Sequence, residues 1–67
     1  MYYLVVIKSD SQAIFKHDTE SSAMSAFHTE CASDQLYFAD GTITSYTVMV
    51  VNQSGDAIAK EFKFKQD

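Results

Sequence analysis

"YTVMVV", residues 46–51, is the stretch that decides how this chain folds. Side chains along a strand point to alternate faces, so Tyr46, Val48 and Val50 share one face and Thr47, Met49 and Val51 the other. Both rows are largely apolar, whereas an antiparallel sheet with one wet face shows strict apolar–polar alternation. The opening segment "YYLVVIK", residues 2–8, has the same character, with Tyr3, Val5 and Ile7 against Tyr2, Leu4 and Val6. Its β-branched and aromatic residues favour a strand. Two such strands belong at the centre of a sheet, with something packed on each side.

Working outward, "SDSQ" at 9–12 reads as a turn and "AIFKH" at 13–17 as a return strand, giving a first hairpin. The period then changes. Asp18 or Thr19 caps a helix, Glu20 suits its first turn, and Met24, Phe27 and Cys31, with Ala23 alongside, form an apolar stripe over roughly residues 19–33. "LYF" at 36–38 reads equally as a short strand or a loop burying aromatics, and Asp40–Gly41 as a turn. "TITSYTVMVV" is a long strand, "NQSGD" at 52–56 a hairpin turn, and "AIAKEFKFK" a closing strand. In that strand Ile58, Phe62 and Phe64 alternate with Glu61, Lys63 and Lys65, and Phe62 joins Phe27 as expected core. Lys60 interrupts the apolar side, where its stem can snorkel. The expected architecture is one α+β domain over residues 1–67, ordered ββαββ. An antiparallel sheet of four strands, or five if "LYF" is one, carries a helix on one face.

Sixty-seven residues make a small core, and chains of this size usually need a disulfide, a metal or a second copy. One cysteine excludes an internal disulfide and fits a reducing, cytoplasmic setting. The seven apolar residues Met1–Ile7 are too short to span a membrane, and they lack the basic flank of a signal peptide. Net charge is −4 and there is no arginine, which counts against nucleic acid. Between Lys16 and Lys60 every charge is negative, and Asp18, Glu20, Glu30, Asp34 and Asp40 together read as an acidic surface for a basic partner. Lysines return at 60, 63 and 65, as on a guarded edge strand.

Few residues suit chemistry. His28 and Cys31 lie three apart on the helix, but one cysteine and two histidines fall short of the four ligands of a structural zinc site. The same pair lacks a third group and an oxyanion hole for nucleophilic catalysis, and the stripe buries the sulfur. Two glycines cannot build a phosphate-cradling loop. The expectation is therefore a protein that is not an enzyme and carries no cofactor and no metal. Four tyrosines and five phenylalanines are dense for this length, and tyrosine is favoured at interfaces. The candidate interface is Tyr46, Thr47, Val48, Met49, Val50 and Val51, with Tyr2 and Tyr3. One helix covers one row only, so a homodimer through the sheet face or a sheet edge is the expected cover for the other.

"MYYLVVIKSDSQAIFKHDTESSAMSAFHTE", with "GTITSYTVMVVNQSGD" later, resembles the small uncharacterised proteins encoded by phages and prophages of gut bacteria. That resemblance implies action in a bacterial cytoplasm, where small acidic phage proteins often bind host proteins and inhibit host defence. The functional expectation is a dimeric, non-enzymatic binder of a host macromolecule. Two alternatives stand beside it. One is a nucleotide-signal sponge using Tyr2, Tyr3, Thr44, Thr47 and Lys60, and the other is a structural or assembly protein of the virion.

Overall fold

A computed structural model describes residues 1–64. Lys65, expected on the closing strand, lies outside the described residues. The elements are β1 (Tyr2–Lys8), β2 (Gln12–His17), α1 (Glu20–Ala39), β3 (Ser45–Val51) and β4 (Ala57–Phe64). The four strands form one antiparallel sheet in the order β2-β1-β3-β4, with α1 packed mainly over β3 and β1. The chain is thus α+β and ββαββ. The two doubly apolar strands, β1 and β3, are the central pair.

Register assigns the two rows of "YTVMVV". Val50 lies opposite Leu4, Val48 opposite Val6 and Tyr46 opposite Lys8, and these positions face the helix. Leu4, Val6, Tyr46, Val48 and Val50 are buried there with Ala23, Phe27, Cys31 and Ile43. Tyr2 packs against the same cluster. Tyr46, Val48 and Val50 are therefore core and half-buried Tyr2 packs at its border, a correction to the candidate interface. Thr47, Met49, Val51 and Tyr3 take the opposite face.

The helix begins where expected. The Thr19 hydroxyl accepts from the Ser22 backbone N–H at 3.1 Å, and Glu20 lies in the first turn. It ends later than the stripe suggests, at Ala39 and not near 33, so "LYF" is helix and the sheet has four strands. Asp34 interrupts the apolar spacing, yet it is buried on the same stripe, between Cys31 and Phe38. Gly41 stops the helix at φ +86, with Gly41 N–H donating to Phe38 O at 3.3 Å and Thr42 N–H to Tyr37 O at 2.9 Å. This is a Schellman cap, which needs a residue comfortable in the left-handed region. Asp40–Gly41 is thus a helix stop, and the Asp40 carboxylate accepts from Thr42 N–H at 2.9 Å.

The last strand holds the largest departure from expectation. Lys63, Glu61 and Ala59 pair with Tyr46, Val48 and Val50 on the helix side, whereas Phe62 pairs with Thr47 on the other. The apolar side of β4 therefore faces away from the helix. Phe62 is 56% exposed and Phe64 57%, so Phe62 is not core.

Candidate interaction face

The face away from α1 reads in three rows across the sheet. Ile14, Val5, Met49 and Lys60 form one, Gln12, Ile7, Thr47 and Phe62 the next, and Lys16, Tyr3, Val51 and Ala57 the third. Phe64 extends the second edge opposite Ser45, and its ring stacks on Phe62 with centroids 6.3 Å apart. Lys60 Nζ sits 5.5 Å from the Phe62 ring centroid, so its stem lies along the aromatic edge rather than entering the core. No described element covers this face. Seven residues at about 3.3 Å and four strands at about 4.8 Å give a plane of roughly 440 Å². Its apolar side chains are interrupted by Gln12, Lys16, Thr47 and Lys60, and uncovered apolar surface rimmed by polar residues often marks an interaction site. Its strand positions carry Lys16 and Lys60 and no carboxylate, on a chain of net charge −4.

The helix side holds a partly buried polar cluster. Asp34 is fully buried, with Lys8 Nζ 3.4 Å from its Oδ1 and 3.5 Å from Glu30 Oε2. Among the described residues neither Asp34 oxygen has an aligned hydrogen-bond partner, so the Lys8 contact is an ion pair without hydrogen-bond alignment. Burial pushes the Asp34 carboxyl up to about 6, with Glu30 raising it further and Lys8 opposing the rise. Burial alone would lower Lys8, but Asp34 and Glu30 outweigh it and hold the ammonium above its usual range. Beside them, Glu61 Oε2 accepts from Gln35 Nε2 at 3.0 Å and from the Tyr46 hydroxyl at 2.9 Å, which holds its carboxyl low.

The expected acidic surface is not assembled. Asp34 is internal, and Glu30 is engaged with Lys8. Asp18 and Glu20 lie at the helix start and Asp40 at its end, about 30 Å away along a 20-residue helix. The carboxylates are too far apart to act as one patch.

No reactive pair is assembled from His28 and Cys31 either. His28 is exposed, its ring edge-on to Phe27, while Cys31 is buried. Burial, then Glu61, pushes the thiol up to about 12. A thiol so protonated is a poor nucleophile at neutral pH. With Ellman's reagent at pH 8 we expect native Cys31 to react about a hundredfold or more slower than in the unfolded chain, and equal rates would contradict its placement. Among the described residues, no group of three or more His, Cys, Asp or Glu is placed to hold a metal ion.

No protein-family model, no curated protein and no solved structure matches this chain. The geometry therefore carries the functional reading. No described helix is long and apolar enough to cross a membrane. A groove of about 890 Å³ remains between α1 and β2, floored by Leu4, Phe15 and Ala26 and walled by Ser22, Ser25 and Thr29. His17 Nδ1 lies 2.9 Å from the Ser22 hydroxyl at its mouth. The apolar rows of the central strands were legible in the sequence. The contributions of Ile14, Phe62 and Phe64 needed the register, because alternation shows that a strand has two sides and not which side meets the helix.

Proposed function

We propose that this chain is a non-enzymatic interaction module of the phage accessory kind it resembles, working as a homodimer that docks a host protein on its open sheet face. One observation carries the reading: Ile14 on β2, Val5 and Ile7 on β1, Met49 and Val51 on β3 and Phe62 on β4 share one face that no described element covers. The charge on the face refines it. Lys16 and Lys60, with no carboxylate at its strand positions, favour a partner whose apolar patch is interspersed with acidic groups. This reverses the polarity expected from the overall acidic composition. Inhibition of a host defence protein is the specific form the reading takes, because blocking a surface needs no chemistry. The buried, protonated thiol supports a role without catalysis, as does the Lys8–Asp34–Glu30 cluster, whose charges pair with one another.

The test is capture from bacterial lysate with three immobilised proteins. Wild type and Leu36→Asp, at a helix position 71% exposed, should retain the same partner, and Phe62→Asp on the open face should lose it. Recovery of one partner by all three proteins, or of no specific partner by wild type, defeats the reading.

A further inference from the structure

The two edges of the sheet are not equivalent. β4 carries Lys60 and Lys63 and a register irregularity at Val50/Val51, devices that discourage strand addition. β2 has one lysine and a regular register throughout, and Ala13, Ile14 and Phe15 are all exposed. Its outer side is flanked by no described element.

The ladder shows which groups that edge offers. Lys8 N–H donates to Ser11 O at 2.7 Å and Ser11 N–H to Lys8 O at 3.4 Å, so Lys8 and Ser11 are a hydrogen-bonded pair. In an antiparallel ladder such pairs alternate with non-bonded ones. With Val6 opposite Ala13 and Leu4 opposite Phe15, the main-chain groups of Ala13, Phe15 and His17 turn inward to β1. Those of Gln12, Ile14 and Lys16 turn outward.

We infer that β2 pairs antiparallel with β2 of a second copy, joining two sheets into one of eight strands with both helices on the same side. The outward groups select the register. Ile14 meets Ile14 of the other copy on the two-fold axis, and Gln12 meets Lys16. This pairing makes about six main-chain hydrogen bonds, two per bonded pair, and sets no like charges opposite each other. It also brings Phe15 of each copy, 49% exposed in the single chain, to the floor of one groove between the two helices.

The second copy completes a docking surface. One open face is a plane of only roughly 440 Å² on four short strands, small beside the ~800 Å² of accessible surface that a standard interface buries on each partner. Joining at β2 sets the two open faces side by side, with Ile14 at the seam flanked by Gln12 and Lys16 of each copy, and leaves both uncovered for a foreign protein, which a face-to-face dimer would not. The inference rests on the homodimeric form of the proposed function, but its test needs no foreign partner. Failure here and failure of the capture experiment are therefore separate results.

The experiment is light scattering after size exclusion, from about 10 µM to 1 mM, a range suited to a small interface. Wild type and Ile14→Thr, which keeps the outward N–H, should approach twice the 7.5 kDa chain mass at the upper end. Ile14→Pro removes an N–H that β1 does not use, and proline is tolerated at such edge positions. It should stay at single-chain mass with an unchanged circular dichroism spectrum. Wild type at single-chain mass throughout, or Ile14→Pro as dimeric as wild type, overturns the inference. If Ile14→Pro does not fold, amide exchange on wild type decides. Ile14 and Lys16 N–H should be protected at high concentration and exchange freely at low, and equal exchange at both overturns the pairing.

Discussion

Asp34→Leu is expected to raise the melting temperature by roughly 10 °C at pH 7.5, an unusual result for a buried charge removed from a core. The wild-type carboxyl has both oxygens buried without an aligned hydrogen bond among the described residues, and burial raises it from 3.8 to about 6. A tenfold change in proton affinity is worth about 1.4 kcal/mol, so keeping Asp34 ionised at neutral pH costs on the order of 3 kcal/mol. Leucine removes that cost and continues the stripe of Ala23, Phe27, Cys31 and Phe38. Some of the gain is lost in fitting a larger side chain, leaving about 2 kcal/mol, and the melting point of a domain this size moves by roughly 4–8 °C per kcal/mol. Lys8 keeps Glu30 and reaches solvent, its side chain being 25% exposed.

The sign with pH is specific. A carboxyl raised on folding binds protons more tightly in the native state, so its contribution favours folding below pH 3.8 and is lost as pH rises towards 6. Glu61 is held low and works the other way: its stabilisation is present above 4.5 and lost as pH falls through the folded value. The difference between wild type and Asp34→Leu isolates the first effect, and it should grow between pH 4 and 6.5. Lys8→Met should do the opposite of Asp34→Leu, because it leaves the Asp34 and Glu30 carboxyls facing each other without their cation. Breaking a buried pair costs about 3–5 kcal/mol, and the partial exposure of Lys8 places this variant near the lower figure. A chain in which Asp34→Leu melts lower at pH 7.5, or Lys8→Met melts as wild type, does not have the cluster described above.

Asp34 also marks the limit of what could be read from the sequence. Ala23, Met24, Phe27 and Cys31 show the helix by their spacing, and the next position on the stripe is a carboxylate that reads as a loop. Only the placement of Lys8 on the helix side of β1 makes that position tolerable inside, and this is a tertiary fact. The doubly apolar patterns of β1 and β3 marked them as the central strands. The assignment of Phe62 to the core failed because the alternation of β4 is the same whichever face meets the helix. Tyr46–Glu61–Gln35 settles the side: the buried tyrosine hydroxyl needs an acceptor, and it finds one on the charged face of β4. The apolar face of that strand is consequently turned outward.

Tyr46 is the residue of "YTVMVV" whose truncation should do most harm. It is 1% exposed, its ring packs edge-on to Phe38 with centroids 6.0 Å apart, and its hydroxyl holds Glu61. Tyr46→Ala removes the ring, opens a cavity against the helix and strips Glu61 of a donor, a combined loss of about 3–5 kcal/mol. Domains of this length hold only about 3–10 kcal/mol in total, so this variant should be largely unfolded at 37 °C by circular dichroism. Tyr46→Phe keeps the ring and loses a hydrogen bond to a charged acceptor, for about 1.5–3 kcal/mol, and should stay folded at 25 °C. Met49→Ala, three residues on but in the open row, has no cavity wall on its outer side and should cost less than about 1.5 kcal/mol in dilute solution, where no second molecule covers the face. If Met49→Ala proved as damaging as Tyr46→Ala at that dilution, the open row would be covered within a single chain and no docking face would remain. The contrast between these neighbours is the sharpest measure of which side of the central strand folds the protein and which side is left to meet another molecule.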